Sequence, residues 1–201
     1  GTLFSIYLVV TGQFRTLQSG VYRFPAGTSA RAVAEQLSAG RTYATRLTLI
    51  EGWAIRDMAA ALEKKGVVPA AEFFLAAKGK EGYLFPDTYH LSRNVSTADV
   101  IARLEETFIL KTRELNPTRE QVILASIVER EAKLDEDRAK IAGVYINRLK
   151  AGMRLEADPT VQYAKGSWDP ITSADYRSVD SPYNTYLHAG LPPGPISNPG
   201  L

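Results

Sequence analysis

Residues 122–133 read Val-Ile-Leu-Ala-Ser-Ile-Val-Glu-Arg-Glu-Ala-Lys, and six of the first seven are apolar. Wound as a helix, this stretch turns apolar side chains in most directions, as a buried helix does. Thr118 and Gln121 stand at capping-box spacing ahead of it. Asn116-Pro117 stops the segment before. Ser126 and Glu129 are three apart and share a face. Glu129 admits two readings. Against a buried helix its carboxyl stays protonated, because desolvation disfavours the charged form. A carboxyl protonated near neutral pH is what a general acid requires. Alternatively, Glu129 sits at the rim of a core and pairs with Lys133 or an arginine. Glu131 lies about 200° further around the helix. The two carboxylates therefore cannot face one substrate as a two-carboxylate glycosidase pair does. Glu131 instead orients a neighbour or holds a basic residue.

The 201-residue chain is 45% hydrophobic and 23% charged, the balance of an ordinary soluble globular protein. A net charge of +2 gives no argument for a nucleic-acid partner. The chain has no cysteine, which excludes disulfides and thiolate metal sites. Its two histidines, His90 and His188, are too far apart in sequence to suggest a metal site. No apolar run approaches the roughly 20 residues of a membrane span. The opening Leu3–Val10 is too short to cross and is rich in strand formers, so a strand is expected there. A chain that opens in a strand reads as a fragment lacking its natural N-terminus.

Two N-terminal units echo each other at a constant offset. Gly27, Arg31, Ala34 and Leu37 match Gly52, Arg56, Ala59 and Leu62. Extended stretches, Val21–Phe24 and Leu47–Ile50, precede the two glycines. Each unit thus reads as strand, glycine turn and amphipathic helix. Thr28 or Ser29 caps the first helix, and Gly40 and Gly66 stand at C-terminal cap positions. A third helix follows over about 70–77, with Phe73, Phe74 and Leu75 as its packing residues. The second unit, with Glu51-Gly52-Trp53 and two helices, looks like a LysM module, a binder of N-acetylglucosamine-containing glycans. A generic structural domain with Trp53 in its core is the other reading.

Residues 81–91, Glu-Gly-Tyr-Leu-Phe-Pro-Asp-Thr-Tyr-His-Leu, read as strand, turn and strand about Pro86. Tyr83 and Tyr89 either donate to a ligand or fill a hairpin core. A helix is expected over 97–115 with Val100, Ile101, Leu104, Phe108 and Leu110 inward. Another is expected over 137–151, with Asp135 as its cap and Ile141, Val144, Tyr145 and Leu149 apolar. Asp158-Pro159 marks the N-cap and first position of a short helix. Beyond Gly166 the chain is a tyrosine-, asparagine- and proline-rich loop, either a ligand wall or an exposed linker.

Six ordered segments together resemble the endolytic murein transglycosylase (MltG, YceG-like) family. They are Glu81–Tyr89, Leu124–Glu131, Val144–Leu149, Asp158–Tyr163, Tyr183–Tyr186 and Gly190–Ile196. The likeness runs from about Gly20 to Gly200. It implies an α+β protein with a small LysM-like strand/helix domain over 1–79 and a mixed α+β catalytic domain over 80–201. It implies internal cleavage of nascent peptidoglycan strands at the N-acetylmuramic acid β-1,4-N-acetylglucosamine bond, leaving 1,6-anhydro-muramic ends. The family's catalytic carboxyl falls on Glu129. Substrate contacts are expected from Ser126, Glu131, Asn147, Asp158, Thr160, Tyr163, Tyr183, Asn184, Thr185 and Tyr186. Ser126 would bond Glu129 or the substrate, or else a backbone carbonyl one turn back.

No cofactor or metal is expected. The partners expected are peptidoglycan glycan strands and proteins of cell-wall synthesis, with no nucleic acid. Members sit on the outer side of the bacterial cytoplasmic membrane, held by one N-terminal helix that this chain lacks. They also usually run further at the C-terminus, so the chain is expected to be trimmed at both ends. A single carboxyl suits such a reaction, because the nucleophile is the substrate's own C6 hydroxyl and no water needs activating. The alternatives are a non-catalytic LysM-like peptidoglycan-binding module, a hydrolytic muramidase and a pyridoxal-phosphate lyase. The last would need a Schiff-base lysine and a phosphate cup. No glycine-rich loop stands beside a helix start, and Lys133, Lys140 and Lys150 read as surface residues.

Overall fold

The computed structural model describes residues 2–19, 22–40, 44–92 and 94–201. In chain order the elements are α1 (Thr2–Val10), a short 3-10 turn (Gln13–Thr16), α2 (Ala30–Ser38), β1 (Ala44–Thr48), α3 (Ile55–Lys64), α4 (Ala70–Ala76), β2 (Thr88–Ser92), α5 (Thr97–Thr112), α6 (Arg119–Glu131), α7 (Asp135–Lys150), α8 (Asp158–Lys165) and α9 (Asp175–Ser178). The class is α+β, with helices around one small antiparallel sheet. β1 and β2 pair from Ala44 opposite Ser92 to Thr48 opposite Thr88. The pairing joins residues on both sides of position 79.

Two apolar cores organise the chain. The first gathers Leu47 and Leu49, the inner faces of α3 and α5, Phe73, Leu84, Tyr89 and Leu91. Its helices follow the expected periodicity: Ile55, Met58, Ala59 and Leu62 of α3 are all buried. The second core gathers Ile123, Ile127 and Val128 of α6 with Tyr145, Leu155, Ala157 and Ile196. The expected capping box is present on α6. Thr118 Oγ1 accepts from Gln121 N at 3.3 Å, and Gln121 Oε1 accepts from Thr118 N at 2.7 Å.

The C-terminal segment couples the cores through Asn198, which is fully buried. Its Oδ1 accepts from Gly82 N at 2.9 Å and from Leu84 N at 3.0 Å. Its Nδ2 donates to Trp53 O at 3.0 Å and to Glu81 Oε1 at 2.8 Å. Backbone bonds pair Asn198 with Trp53 and with Gly52. Gly82, at φ +88°, makes the approach possible, since a Cβ there would overlap Pro195.

Several expectations change. Residues 3–10 form a helix rather than a strand, with Leu3, Ile6, Val9 and Val10 exposed. Strand formers need a partner edge, and the described sheet consists of β1 and β2 alone, so this backbone bonds to itself. No helix among the described residues is long and apolar enough to cross a membrane. Residues 22–24 are not a strand and Val21 lies outside the described residues; among the described residues the second unit alone has a strand, at Ala44–Thr48 rather than Leu47–Ile50. Residues 81–87 form no hairpin arm, because the Gly82 and Leu84 amides go to Asn198. On α4 only Phe73 is buried, while Phe74 and Leu75 are exposed, because neighbours on a helix point about 100° apart. Leu110 of α5 and Val144 of α7 also face solvent. Leu134 rather than Asp135 caps α7, and Ala157 rather than Asp158 caps α8. α9 had no apolar periodicity to announce it.

Asn198→Ala would leave the Gly82 and Leu84 amides short of partners in a dry site, while Trp53 O keeps its bond from the backbone N of residue 198. We expect a loss of about 3 kcal/mol of unfolding free energy, at about 1–3 kcal/mol per orphaned group. A urea melt checks this, and an unchanged midpoint would remove Asn198 as the coupling between the cores.

Candidate active site

Glu129 occupies the last turn of α6, and its side chain is 10% exposed. Its Oε1 accepts from Arg138 Nη2 at 3.1 Å, and its Oε2 accepts from Gly200 N at 3.4 Å. Burial pushes its carboxyl above the usual range and outweighs Arg138, which pulls it down. The nearby Glu51 pushes it further up, the Gly200 amide pulls it down, and Asp135 pushes it up. The carbonyl-rich end of α6 also opposes a negative charge there. Glu129 is thus partly desolvated at the end of a buried helix and also paired with an arginine. Gly52, at φ +77°, closes over it, and a Cβ at that position would stand 3.4 Å from Glu129 Cγ.

Neighbouring groups fix this turn of α6. Arg130 lies over the Trp168 ring at 3.8 Å, and Arg56 lies over the same ring at 4.5 Å. Trp168 Nε1 donates to Asp57 Oδ2 at 2.8 Å, and the same oxygen accepts from Ala54 N at 2.9 Å. The start of α3, the end of α6 and the loop after α8 are thereby bound together.

A second polar centre lies at a cleft of about 440 Å³ whose walls include Tyr83, Tyr163, Tyr183, Arg119 and Pro193–Pro195. Glu81 stands in its floor. It accepts from Ile55 N at 3.0 Å, Asn198 Nδ2 at 2.8 Å and Tyr163 OH at 3.3 Å. Burial raises its carboxyl to about 7, against the bonds from Ile55, Tyr163 and Asn198 and the pull of Arg56. Tyr163 and Tyr183 meet at 5.0 Å between ring centres.

The expected contact residues fall into separate groups. Tyr163 and Tyr183 share the cleft above Glu81. Asp158 accepts from Tyr186 OH at 2.6 Å, and Tyr176 packs on Tyr186 at 4.2 Å. Glu131 is exposed within electrostatic reach of Asp158 and Tyr145, with no ion pair to a basic side chain among the described residues. Asn147 is exposed on α7. Ser126, Thr160, Asn184 and Thr185 are buried, and their polar groups are used internally. Ser126 Oγ donates to Ile123 O at 2.7 Å and accepts from Ile196 N at 3.0 Å, with no bond to Glu129. Thr160 and Thr185 join through their hydroxyls at 2.9 Å, and Asn184 Nδ2 donates to Val179 O at 2.9 Å.

Sequence reasoning did not single out Glu81, Glu51 or Arg138. Glu81 opens a recognised segment, but its burial depends on Asn198, far along the chain. Glu51 and Arg138 reach Glu129 from other elements, and helix spacing on α6 carries no sign of them. The ion-pair partner of Glu129 and the carboxylates around it therefore come from elements other than α6.

The family model described as YceG-like matches residues 1–201, and the chain belongs to that family. It is 34% identical over 221 residues to the endolytic murein transglycosylase of Bacillus subtilis, a match covering 92% of this chain and 61% of that protein. It is 35% identical over 137 residues to the endolytic murein transglycosylase of Streptococcus pneumoniae, covering 60% of this chain and 24% of that one. The crystal structure of a yceG-like protein from Listeria monocytogenes superposes with a TM-score of 0.69 at 28% identity. That match covers 99% of this chain and 78% of the other. The chain therefore spans less than two thirds of the length of these curated relatives.

Glu81 generates a pH prediction. A carboxyl raised from 4.5 to about 7 binds more protons folded than unfolded across that window. Stability is then highest below the window and falls as pH rises through it, by up to about 3 kcal/mol from this group. Glu81→Gln should flatten this slope in urea midpoints measured between pH 4.5 and 7.5. An unchanged slope would assign the pH dependence to other groups.

Proposed function

We propose that this chain carries the cutting site of an endolytic lytic transglycosylase acting on the glycan strands of peptidoglycan. The observation that carries the reading is Glu129, a nearly buried carboxyl with raised proton affinity on the last turn of an apolar helix. Its protonated form gives its proton to the glycosidic oxygen as the C1–O bond breaks. The resulting carboxylate takes the proton of the C6 hydroxyl as that oxygen bonds to C1, closing the 1,6-anhydro ring. No water enters and no cofactor is needed. The names of the Bacillus and Streptococcus relatives support the same substrate.

On this reading Tyr163 and Tyr183 offer stacking faces to sugar rings. Asp158, Tyr186, Glu131 and Asn147 offer polar groups to the strand outside the Tyr163–Tyr183 cleft. Ser126, Thr160, Asn184 and Thr185 shape that surface from within. The order β1, α3, α4, β2, closed by antiparallel pairing, supports a LysM-like unit, which then extends beyond residue 79 to Ser92. The division into a LysM-like region 1–79 and a catalytic region 80–201 is part of this proposal, with β2 pairing back across the boundary. Placement on the outer face of the bacterial cytoplasmic membrane, with a single N-terminal anchor and cell-wall synthesis proteins as partners, rests on the family resemblance. One observation favours a second reading, hydrolysis. Glu51 and Glu129 bind the same guanidinium, so a second carboxylate is near.

Digestion of uncrosslinked glycan strands separates these readings by product mass, since the anhydro end is one water lighter than a hydrolytic end. Glu129→Gln should lower the rate by about 10²–10⁴-fold or more while the fold stays intact by circular dichroism. Undiminished anhydro-product from that variant would sink the transglycosylase reading. Strand binding by the unaltered protein with no new chain ends would instead support the non-catalytic module.

A further inference from the structure

Arg138 of α7 directs one nitrogen, Nη2, at three carboxylates. It stands 3.1 Å from Glu129 Oε1, 3.3 Å from Asp135 Oδ1 and 3.6 Å from Glu51 Oε2. These come from the end of α6, the start of α7 and the turn before α3. One guanidinium nitrogen cannot hold three carboxylates equally, so its hold on Glu129 depends on the other two. Asp135 is 94% exposed and well screened by solvent. Glu51 is 50% exposed and Arg138 31%, so their coupling persists closer to the protein interior. Two other groups face Glu129: Arg130 from its own helix and the Gly200 amide from the C-terminal segment.

We propose that Arg138 is a positioning residue that holds the Glu129 carboxyl in place and sets its proton affinity, with Glu51 as the competitor that loosens this hold. The inference rests on the reading of Glu129 as the acid and base of the reaction. A carboxyl used in both roles must be neutral at the start and ionised midway. Burial alone favours the neutral form, and a dedicated cation favours the ionised form. An arginine shared with Glu51 holds Glu129 between these extremes. Movement of the guanidinium from Glu51 toward Glu129 stabilises the carboxylate after it has given up its proton.

The test is the pH profile of kcat/KM on glycan strands, measured with the full chain. The high-pH limb reports loss of the acid's proton. Arg138→Gln should move that limb up by about one pH unit, because the cation beside Glu129 is lost. Glu51→Gln should move it down, because a repelling carboxylate is lost and Arg138 is freed for Glu129. Arg138→Lys, which keeps the charge, should leave the limb near its original position. Carboxyl 13C NMR titration, with Glu129 assigned through Glu129→Gln, gives the same answer for variants that no longer turn over. A Glu129 titration unmoved by Arg138→Gln overturns the role. So does a shift in the same direction in Arg138→Gln and Glu51→Gln. Full turnover in Glu129→Gln would overturn the acid–base reading and this role together. Lost turnover in Glu129→Gln together with a Glu129 titration unmoved by Arg138→Gln would overturn the Arg138 role alone.

Discussion

The structure depends on one buried side-chain amide. Asn198 satisfies the amides of Gly82 and Leu84, the carbonyl of Trp53 and the carboxyl of Glu81. For the Gly82 and Leu84 amides, its Oδ1 is the acceptor the structure provides. A buried polar group left unpaired costs more than a made bond returns, so the position behaves as a lock rather than an incremental contact. The lock seats the C-terminal segment beside α6, where Ile196 N bonds Ser126 Oγ and Ser197 Oγ bonds Ser126 O. The same segment brings the Gly200 amide to Glu129.

The setting of Glu129 follows from where α6 ends. Its apolar body is buried in the second core, so its last turn delivers Glu129 to the boundary of that core. The carboxyl is desolvated enough to favour its proton, yet it touches a cation and an amide that favour its loss. These opposing influences come from α6, α7, the turn before α3 and the C-terminal segment. Glu129 is thus governed by tertiary structure more than by its own helix.

What could be read in the sequence was local. The Thr118–Gln121 box, the Ser29 cap, the positive-φ glycines Gly40 and Gly66 and the inner face of α3 all rest on contacts within a few residues. Glu129 could be placed on a buried helix for the same reason. The misread segments depended on distant partners. Leu3–Val10 has strand formers but no described strand beside it, and in Glu81–Asp87 the Gly82 and Leu84 amides go to a residue more than a hundred positions away. Of the expected contact residues, Ser126, Thr160, Asn184 and Thr185 carry the right polar groups, but the fold uses those groups internally. Residue type could not separate those roles. Glu51 and Arg138 had no local pattern at all.

The lock at Asn198 also bears on how the molecule is made. Its partners at residues 53, 81, 82 and 84 emerge from the ribosome long before residue 198 does. Until then the first core can collapse around Leu47, Met58 and Leu104, but the polar strip along Trp53 and Glu81–Leu84 must stay hydrated. Closing so long a loop is entropically costly and contributes to high contact order, which slows folding. The Gly200 amide therefore reaches Glu129 only as the segment around Asn198 docks. A chain not yet extended through residue 198 would lack the side-chain bonds that join Trp53 and Glu81–Leu84 to the segment beside α6, and with them the approach of the Gly200 amide to Glu129.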